Sequence, residues 1–140
     1  MFMEFLNSSG ARAGCISHTA ATTTAYTTSS DYRLKENETN LTDGINRLKQ
    51  LKPYKFNFKA DKDTTVDGFF AHEVSSIVPE AIIGKKDAVN KDNNPIYQGI
   101  DQSKLVPLLT SALQEAITKI ETLETENTDI KARLTALENK

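Results

Sequence analysis

Cysteine is nearly absent from this chain: the single Cys15 cannot close an intrachain disulfide or build a cysteine zinc site, and it reads as a small packed residue. Long apolar runs are missing as well. No stretch approaches the roughly 20 residues that a helix needs to cross a bilayer, so no membrane partner is expected. Met1 to Leu6 is apolar, but it is too short for a signal peptide and lacks a basic leader, so it reads as the start of a strand. An excess of one charge is also lacking. With 17 basic and 19 acidic residues the net charge is -2, which leaves no footprint for nucleic acid. Nor does any metal-ligand cluster or glycine-rich phosphate loop stand out, so neither cofactor nor metal is expected.

What remains is the composition of an ordinary soluble protein, 140 residues with 38% hydrophobic and 26% charged, enough for one modest domain plus extensions. Residues 1 to 29 are rich in Thr, Ser, Ala and Gly and alternate loosely between polar and apolar types, a pattern of short strands and turns. Such a segment cannot bury enough apolar surface to offset the entropy of ordering it, so it needs neighbouring chains or a preceding domain. Its Thr-rich run from Thr19 to Ser30 has high strand propensity and little charge, the mark of an edge that needs pairing, with a disordered polar linker as the alternative.

Beyond Lys35 the periodicity becomes that of a compact α+β domain. Leu41, Ile45, Leu48 and Leu51 predict a helix near residues 42 to 51, capped by Asn40 or Thr42 and ended by Pro53. Tyr54, Phe56 and Phe58 then alternate with Lys55, Asn57 and Lys59, which predicts a strand with a buried aromatic face and a wet basic one. Asp67-Gly68 carries a turn signature. Gly68 to Val74 reads as a strand end leading into a short helix stopped near Pro79. Ala81 to Gly84 and Ile96 to Ile100 are short strand candidates, joined by an exposed loop through Asn93-Asn94-Pro95. His72 reads first as a structural group and second as a catalytic assistant.

The C-terminal region carries the strongest period. Val106, Leu113, Ile120, Asn127 and Leu134 fall at heptad position a, and Leu109, Ala116, Leu123, Ile130 and Leu137 at d; all but Asn127 are apolar. A stripe this narrow and sustained suits a partner helix better than a broad core face. In a parallel register Glu126 faces Lys131 and Arg133 faces Glu138 of the next chain, and Asn127 fixes register at some cost in strength. Asp101 is the expected cap before this helix, and Pro107 either kinks it or marks its first turn.

Between the two regions lies Ser29-Ser30-Asp31-Tyr32-Arg33-Leu34-Lys35-Glu36-Asn37. A Ser and a Lys within six residues are common in any protein, so the spacing says little by itself. It says more in company. Ser30 to Asn37, then Leu48-Lys49-Gln50-Leu51-Lys52-Pro53-Tyr54-Lys55-Phe56, Gly68-Phe69-Phe70-Ala71-His72-Glu73-Val74 with Val78-Pro79-Glu80, Tyr97-Gln98-Gly99-Ile100-Asp101, Leu105-Val106-Pro107-Leu108-Leu109 and Ala112-Leu113-Gln114-Glu115 occur in order. Together they resemble the C-terminal intramolecular chaperone of phage tail spikes and fibres, the S74 peptidase domain. The blocks are also similar to the autoprocessing domain of the myelin regulatory factor family, but the segment before Ser30 lacks that family's basic DNA-binding character and looks like the end of a fibre.

The resemblance implies a homotrimeric chaperone that cuts itself from its client, a fibre or spike segment of the same chain. It implies a cut between Ser29 and Ser30, with Ser30 as nucleophile and Lys35 as general base, and three parts: the client end at 1–29, a globular part at 30–101 and a trimeric coiled-coil helix at 102–140. It further implies folding in the host bacterial cytoplasm during virion assembly, the N-terminal product staying in the fibre and the chaperone fragment being released. Asp31 and Arg33 match the motif without an assigned chemistry, and His72 stands where Gln is more usual; all three are candidate assisting residues. A Lys acts as a base only when neutral, and burial or a nearby cation such as Arg33 would favour that form of Lys35. The site is expected to be strained or completed only on assembly. A non-cleaving trimerisation domain and a hydrolase acting on other molecules are the alternatives.

Overall fold

The computed structural model describes residues 3–20 and 22–139; what the sequence led us to expect of Met1, Phe2, Ala21 and Lys140 lies outside the described residues. Two compact units divide the chain, Met1–Asn40 and Leu41–Lys140. The first is a three-stranded antiparallel sheet of β1 (Met3–Leu6), β2 (Arg12–Ala20) and β3 (Thr23–Thr28), in that spatial order. The Thr-rich segment thus forms an edge. Pairing of Met3 and Tyr26 with Ile16, and of Phe5 with Gly14, puts Met3, Phe5, Ile16 and Tyr26 on one face. That face is open, with Tyr26 80% exposed. Among the described residues of this unit only Gly14 and Cys15 are buried, so the sheet has hardly any core of its own. Gly14 is needed where it stands: a Cβ there would lie 2.6 Å from the Thr27 carbonyl oxygen, so only glycine lets β3 come this close. Cys15 packs beside it with its Sγ 3.0 Å from Thr27 Oγ1.

The second unit has its core in Leu51, Val74, Val78, Ala81, Leu105 and Leu108, with Leu48, Phe69, Ile77, Ile82 and Ile100 packed around them. Helix α1 (Gly44–Leu48) is followed by the hairpin β4 (Tyr54–Phe58) and β5 (Asp61–Gly68), the short helix α2 (Ala71–Val74), the two-stranded pair β6 (Ile82–Ile83) and β7 (Gly99–Ile100), and α3 (Val106–Glu138). Short antiparallel strands with a long C-terminal helix make the fold α+β.

Several sequence expectations change here. Helix α1 spans five residues rather than the whole of 42 to 51. Its cap is neither Asn40 nor Thr42. Asp43 stands at the cap in the left-handed region, φ 65°, and makes no capping bond; the carboxylate of Glu115 on α3 accepts from the N–H groups of Gly44 and Ile45 instead. Tertiary packing has replaced a local cap, and the end of α1 lies so close to α3 that a Cβ on Gly44 would come 2.5 Å from the Ala112 nitrogen. Ser111 adds a hydroxyl bond to the Leu41 carbonyl at 2.9 Å.

Asp67-Gly68 is not a turn. Both residues lie in β5, opposite Lys55 and Tyr54, and Lys55 Nζ reaches Asp67 Oδ1 at 2.9 Å. Cross-strand pairing outweighs the local signature. Tyr54 and Phe56 are half-buried, whereas Phe58 is 62% exposed, so the aromatic face of β4 is only partly covered. The strand expected at 96 to 100 shrinks to Gly99–Ile100.

Asp101 caps the 3₁₀ turn Gln102–Leu105, its carboxylate accepting from the Ser103 N–H at 3.0 Å. The turn runs straight into α3, where Pro107 sits in the first turn and its missing N–H costs nothing. The 33 residues of α3 span about 50 Å. Its start has two faces. Leu105, Leu108, Ser111 and Ala112 are buried against the second unit, while Val106, Leu109 and Leu113 of the heptad stripe are exposed. Further along, Ile120, Leu123, Ile130, Leu134 and Leu137 continue the stripe, each more than half exposed. Thr110, Thr118, Thr122, Thr125, Thr128 and Thr135 each donate their hydroxyl to the carbonyl four residues back, so none of these side chains is left competing for the backbone outside the helix. No helix among the described residues is long and apolar enough to cross a membrane.

Candidate active site

Ser29 and Ser30 lie where the chain leaves β3. Ser29 adds the last rung of the ladder to β2: its N–H donates to the Ala13 carbonyl at 2.9 Å and its hydroxyl to the Arg12 carbonyl at 2.8 Å. Immediately beyond Ser30 the chain turns. Tyr32–Leu34 form one 3₁₀ turn with Asp31 as its cap, whose carboxylate accepts from the Arg33 N–H at 2.9 Å. The Arg33 guanidinium grips the same carboxylate twice, Nε on Oδ1 at 2.9 Å and Nη2 on Oδ2 at 2.8 Å. The Leu34 and Lys35 N–H groups close the turn on the Asp31 and Tyr32 carbonyls.

The turn brings Lys35 back over Ser30. Lys35 Nζ donates to Ser30 Oγ at 2.7 Å. With the amine neutral, the same contact can run the other way, the hydroxyl donating to nitrogen, which is the geometry a general base needs. The motif spacing has a plain structural meaning: one turn of 3₁₀ helix between Asp31 and Lys35 is what a five-residue return requires. Arg33, by side chain first and backbone second, holds the Asp31 carboxyl below the usual aspartate range, and Asp31 in turn pushes the Arg33 guanidinium up.

The Arg33 guanidinium is paired with Asp31. Ser30 and Lys35 are both exposed. The physical reason is local: Tyr32 and Leu34, the large apolar side chains of the turn, are 82% and 71% exposed, and the first unit has no core to draw them in. His72 belongs to the second unit, as the second residue of α2, with its ring centre 6.0 Å from that of Phe70, while Ser30, Asp31, Arg33 and Lys35 belong to the first. Among the described residues no group of three His, Cys, Asp or Glu side chains is arranged to hold a metal ion.

Sequence reasoning missed the anchoring of Ser29 and the long-range cap from Glu115. The glycine of Gly14 inside a strand pattern was the available signal for the first; no local signal existed for the second.

Residues 30–83 match the family Peptidase_S74, described as chaperone of endosialidase. The match supports an S74 chaperone domain over this stretch. No curated protein matches the chain. The S74 match opens on Ser30 and takes in the whole turn, the α1 region, both strands of the aromatic hairpin and α2, ending at Ile83 in β6.

Proposed function

We propose that the chain is an intramolecular chaperone that assembles as a homotrimer, folds a phage tail fibre or spike segment attached before Ser30, and then cuts the Ser29–Ser30 bond. The observation that carries this reading is the 2.7 Å contact between Ser30 Oγ and Lys35 Nζ at the opening residue of an S74 match. Neutral Lys35 takes the Ser30 hydroxyl proton as Oγ attacks the Ser29 carbonyl carbon, forming a five-membered ring. The C–N bond then breaks, the proton passes from Lys35 to the Ser30 nitrogen, and the acyl group rests on Oγ as an ester. Water hydrolyses the ester to a Ser29 carboxylate and a free Ser30 with its amine and hydroxyl. Covalent connection supplies the proximity.

Assembly is supported by the exposed heptad stripe of α3, which lies away from the face that holds the second unit together. Arg133 makes a contact to Asp129 of its own helix at 3.9 Å, but so loose a surface pair leaves it available to Glu138 of a partner. Exposure of the dyad fits a site completed when chains come together. In this reading 1–29 is the client end, 30–101 the globular chaperone and 102–140 the coiled coil; cutting follows folding in the host cytoplasm, and the N-terminal product stays in the virion.

Intact-mass spectrometry tests the chemistry. Two fragments separated before Ser30 are expected from the unaltered chain, and one intact chain from Ser30→Ala and from Lys35→Ala. An unaltered chain that stays whole would leave a non-cleaving trimerisation domain, and turnover of an added substrate would point to a hydrolase.

A further inference from the structure

We propose that β2 is the positioning strand for the bond that is cut, and that the Ser29 side chain is the latch: the Ser29–Ser30 bond is presented to the Ser30 hydroxyl only when Ser29 is held on the Arg12 and Ala13 carbonyls. The inference rests on the self-cleavage reading and adds to it the device that tells the site whether its client is folded. Both hydrogen-bonding groups of Ser29 on the client side are taken, the N–H by Ala13 at 2.9 Å and the hydroxyl by Arg12 at 2.8 Å. One fixes the peptide plane before Ser29 and the other fixes its side chain, so the Cα that carries the carbonyl under attack is pinned from two sides. Downstream, the capped turn fixes Ser30 and Lys35. The cut bond therefore spans two anchored frames.

The upstream frame belongs to the client, and it exists only while β2 and β3 are paired. Their register runs Gly14 to Thr28 and Cys15 to Thr27, directly next to the Ser29 rung. Pairing there has a strict steric condition, since any side chain at position 14 would meet the Thr27 carbonyl oxygen at 2.6 Å. Ring formation depends on the relative orientation of carbonyl and hydroxyl, and small misplacements cost rate steeply. An unpaired β3 leaves the Ser29 carbonyl free to rotate, and attack becomes a rare event; a paired one holds it in place. Lys35 and Ser30 can stay in contact in both cases, so the latch and the dyad are separable.

The test is the rate at which the full chain is cut, read by intact mass, alongside its melting temperature. Ser29→Ala keeps the backbone rung and loses the latch; cutting should slow about three- to tenfold, the worth of one hydrogen bond, with the melting temperature lowered by no more than about a few degrees. Ser29→Thr, which restores the hydroxyl, should recover the rate. Gly14→Ala, which leaves both dyad residues unchanged, should slow cutting by up to about a hundredfold. Cutting of Ser29→Ala and Gly14→Ala at the unaltered rate overturns the latch while leaving the dyad in place. A slow Ser29→Ala that also melts lower by more than this and is not rescued by Thr overturns it in favour of a general loss of structure. Should Gly14→Ala fail to fold, the Ala and Thr variants at position 29 decide alone. An unaltered chain that never cuts, or cuts elsewhere, overturns this inference together with the self-cleavage reading, and Lys35→Ala distinguishes the cases, because a normal rate there removes the dyad without touching the latch.

Discussion

Asp31 is bound more completely than any other residue of the motif. One carboxylate caps the turn and holds both arms of Arg33, and the turn in its place carries Lys35 to Ser30. In the proposed self-cleavage its role would be positioning, so Asp31→Ala should slow cutting about tenfold or more without abolishing it, whereas Lys35→Ala should leave none. A Lys35→Ala chain that still cuts at the normal rate would show that Lys35 is not the base and bring His72 forward. The pH dependence has a definite sign. Because the folded-state value of Asp31 lies below its ordinary value, its contribution to the turn is fully present above the ordinary aspartate range and is lost only as pH falls through the depressed value. Carbon-13 titration of the uncut Ser30→Ala chain should place the Asp31 carboxyl below the free aspartate midpoint; a midpoint at or above it would mean that the Arg33 grip does not form in solution. The identities in this site were legible in the sequence as a motif, yet their arrangement was not. Nothing in Ser30-Asp31-Tyr32-Arg33-Leu34-Lys35 announces that Arg33 pairs with Asp31 and leaves the amine alone.

Elements with a strong internal period survived translation into structure, and those that depend on a distant partner did not. The aromatic alternation of Tyr54, Phe56 and Phe58 became β4 and the heptads became α3. The start of helix α1 was misjudged, because Glu115, some seventy residues away in sequence, supplies its cap. Backbone donors of Ile45 first and Gly44 second hold the Glu115 carboxyl below its usual range, so its support for α1 is present above the ordinary glutamate range and fades as pH drops through the depressed value. Protection of the α1 amides, relative to their intrinsic exchange rate at each pH, should therefore fall in acid before the rest of the second unit loosens, and Glu115→Ala should show that low protection already at neutral pH; equal protection in both would remove the cap from the account. On α3 itself, Leu108 is 2% exposed on the inner face and Asn127 stands in the outer stripe. Leu108→Ala should cost about 2–5 kcal/mol by denaturant unfolding. Asn127→Ile should raise thermal stability while admitting other oligomeric states, as sedimentation would show; a less stable chain that remains a single trimer would count against the seam.

At the scale of the molecule, the two units differ in self-sufficiency. Residues 41–140 enclose a core, whereas the sheet of the first unit leaves Met3, Phe5, Leu6 and Tyr26 open and relies on backbone pairing. A sheet of this kind gains most from being held beside its copies, and once interleaved with them it can persist behind an unfolding barrier without its template. Composition hinted at this imbalance, but which face stays open follows only from the register of β1 and β3 on β2. Parallel refolding tests the resulting claim that residues 30–140 fold what precedes them. Uncut Ser30→Ala chains and the cut N-terminal product, denatured and separated from its C-terminal fragment, are returned to native buffer and compared on native gels. Recovery of trimer from the uncut chain with aggregation or continued disorder of the isolated product is the expected result, and equal recovery from both would contradict the chaperone reading and reduce residues 30–140 to a removable oligomerisation tag.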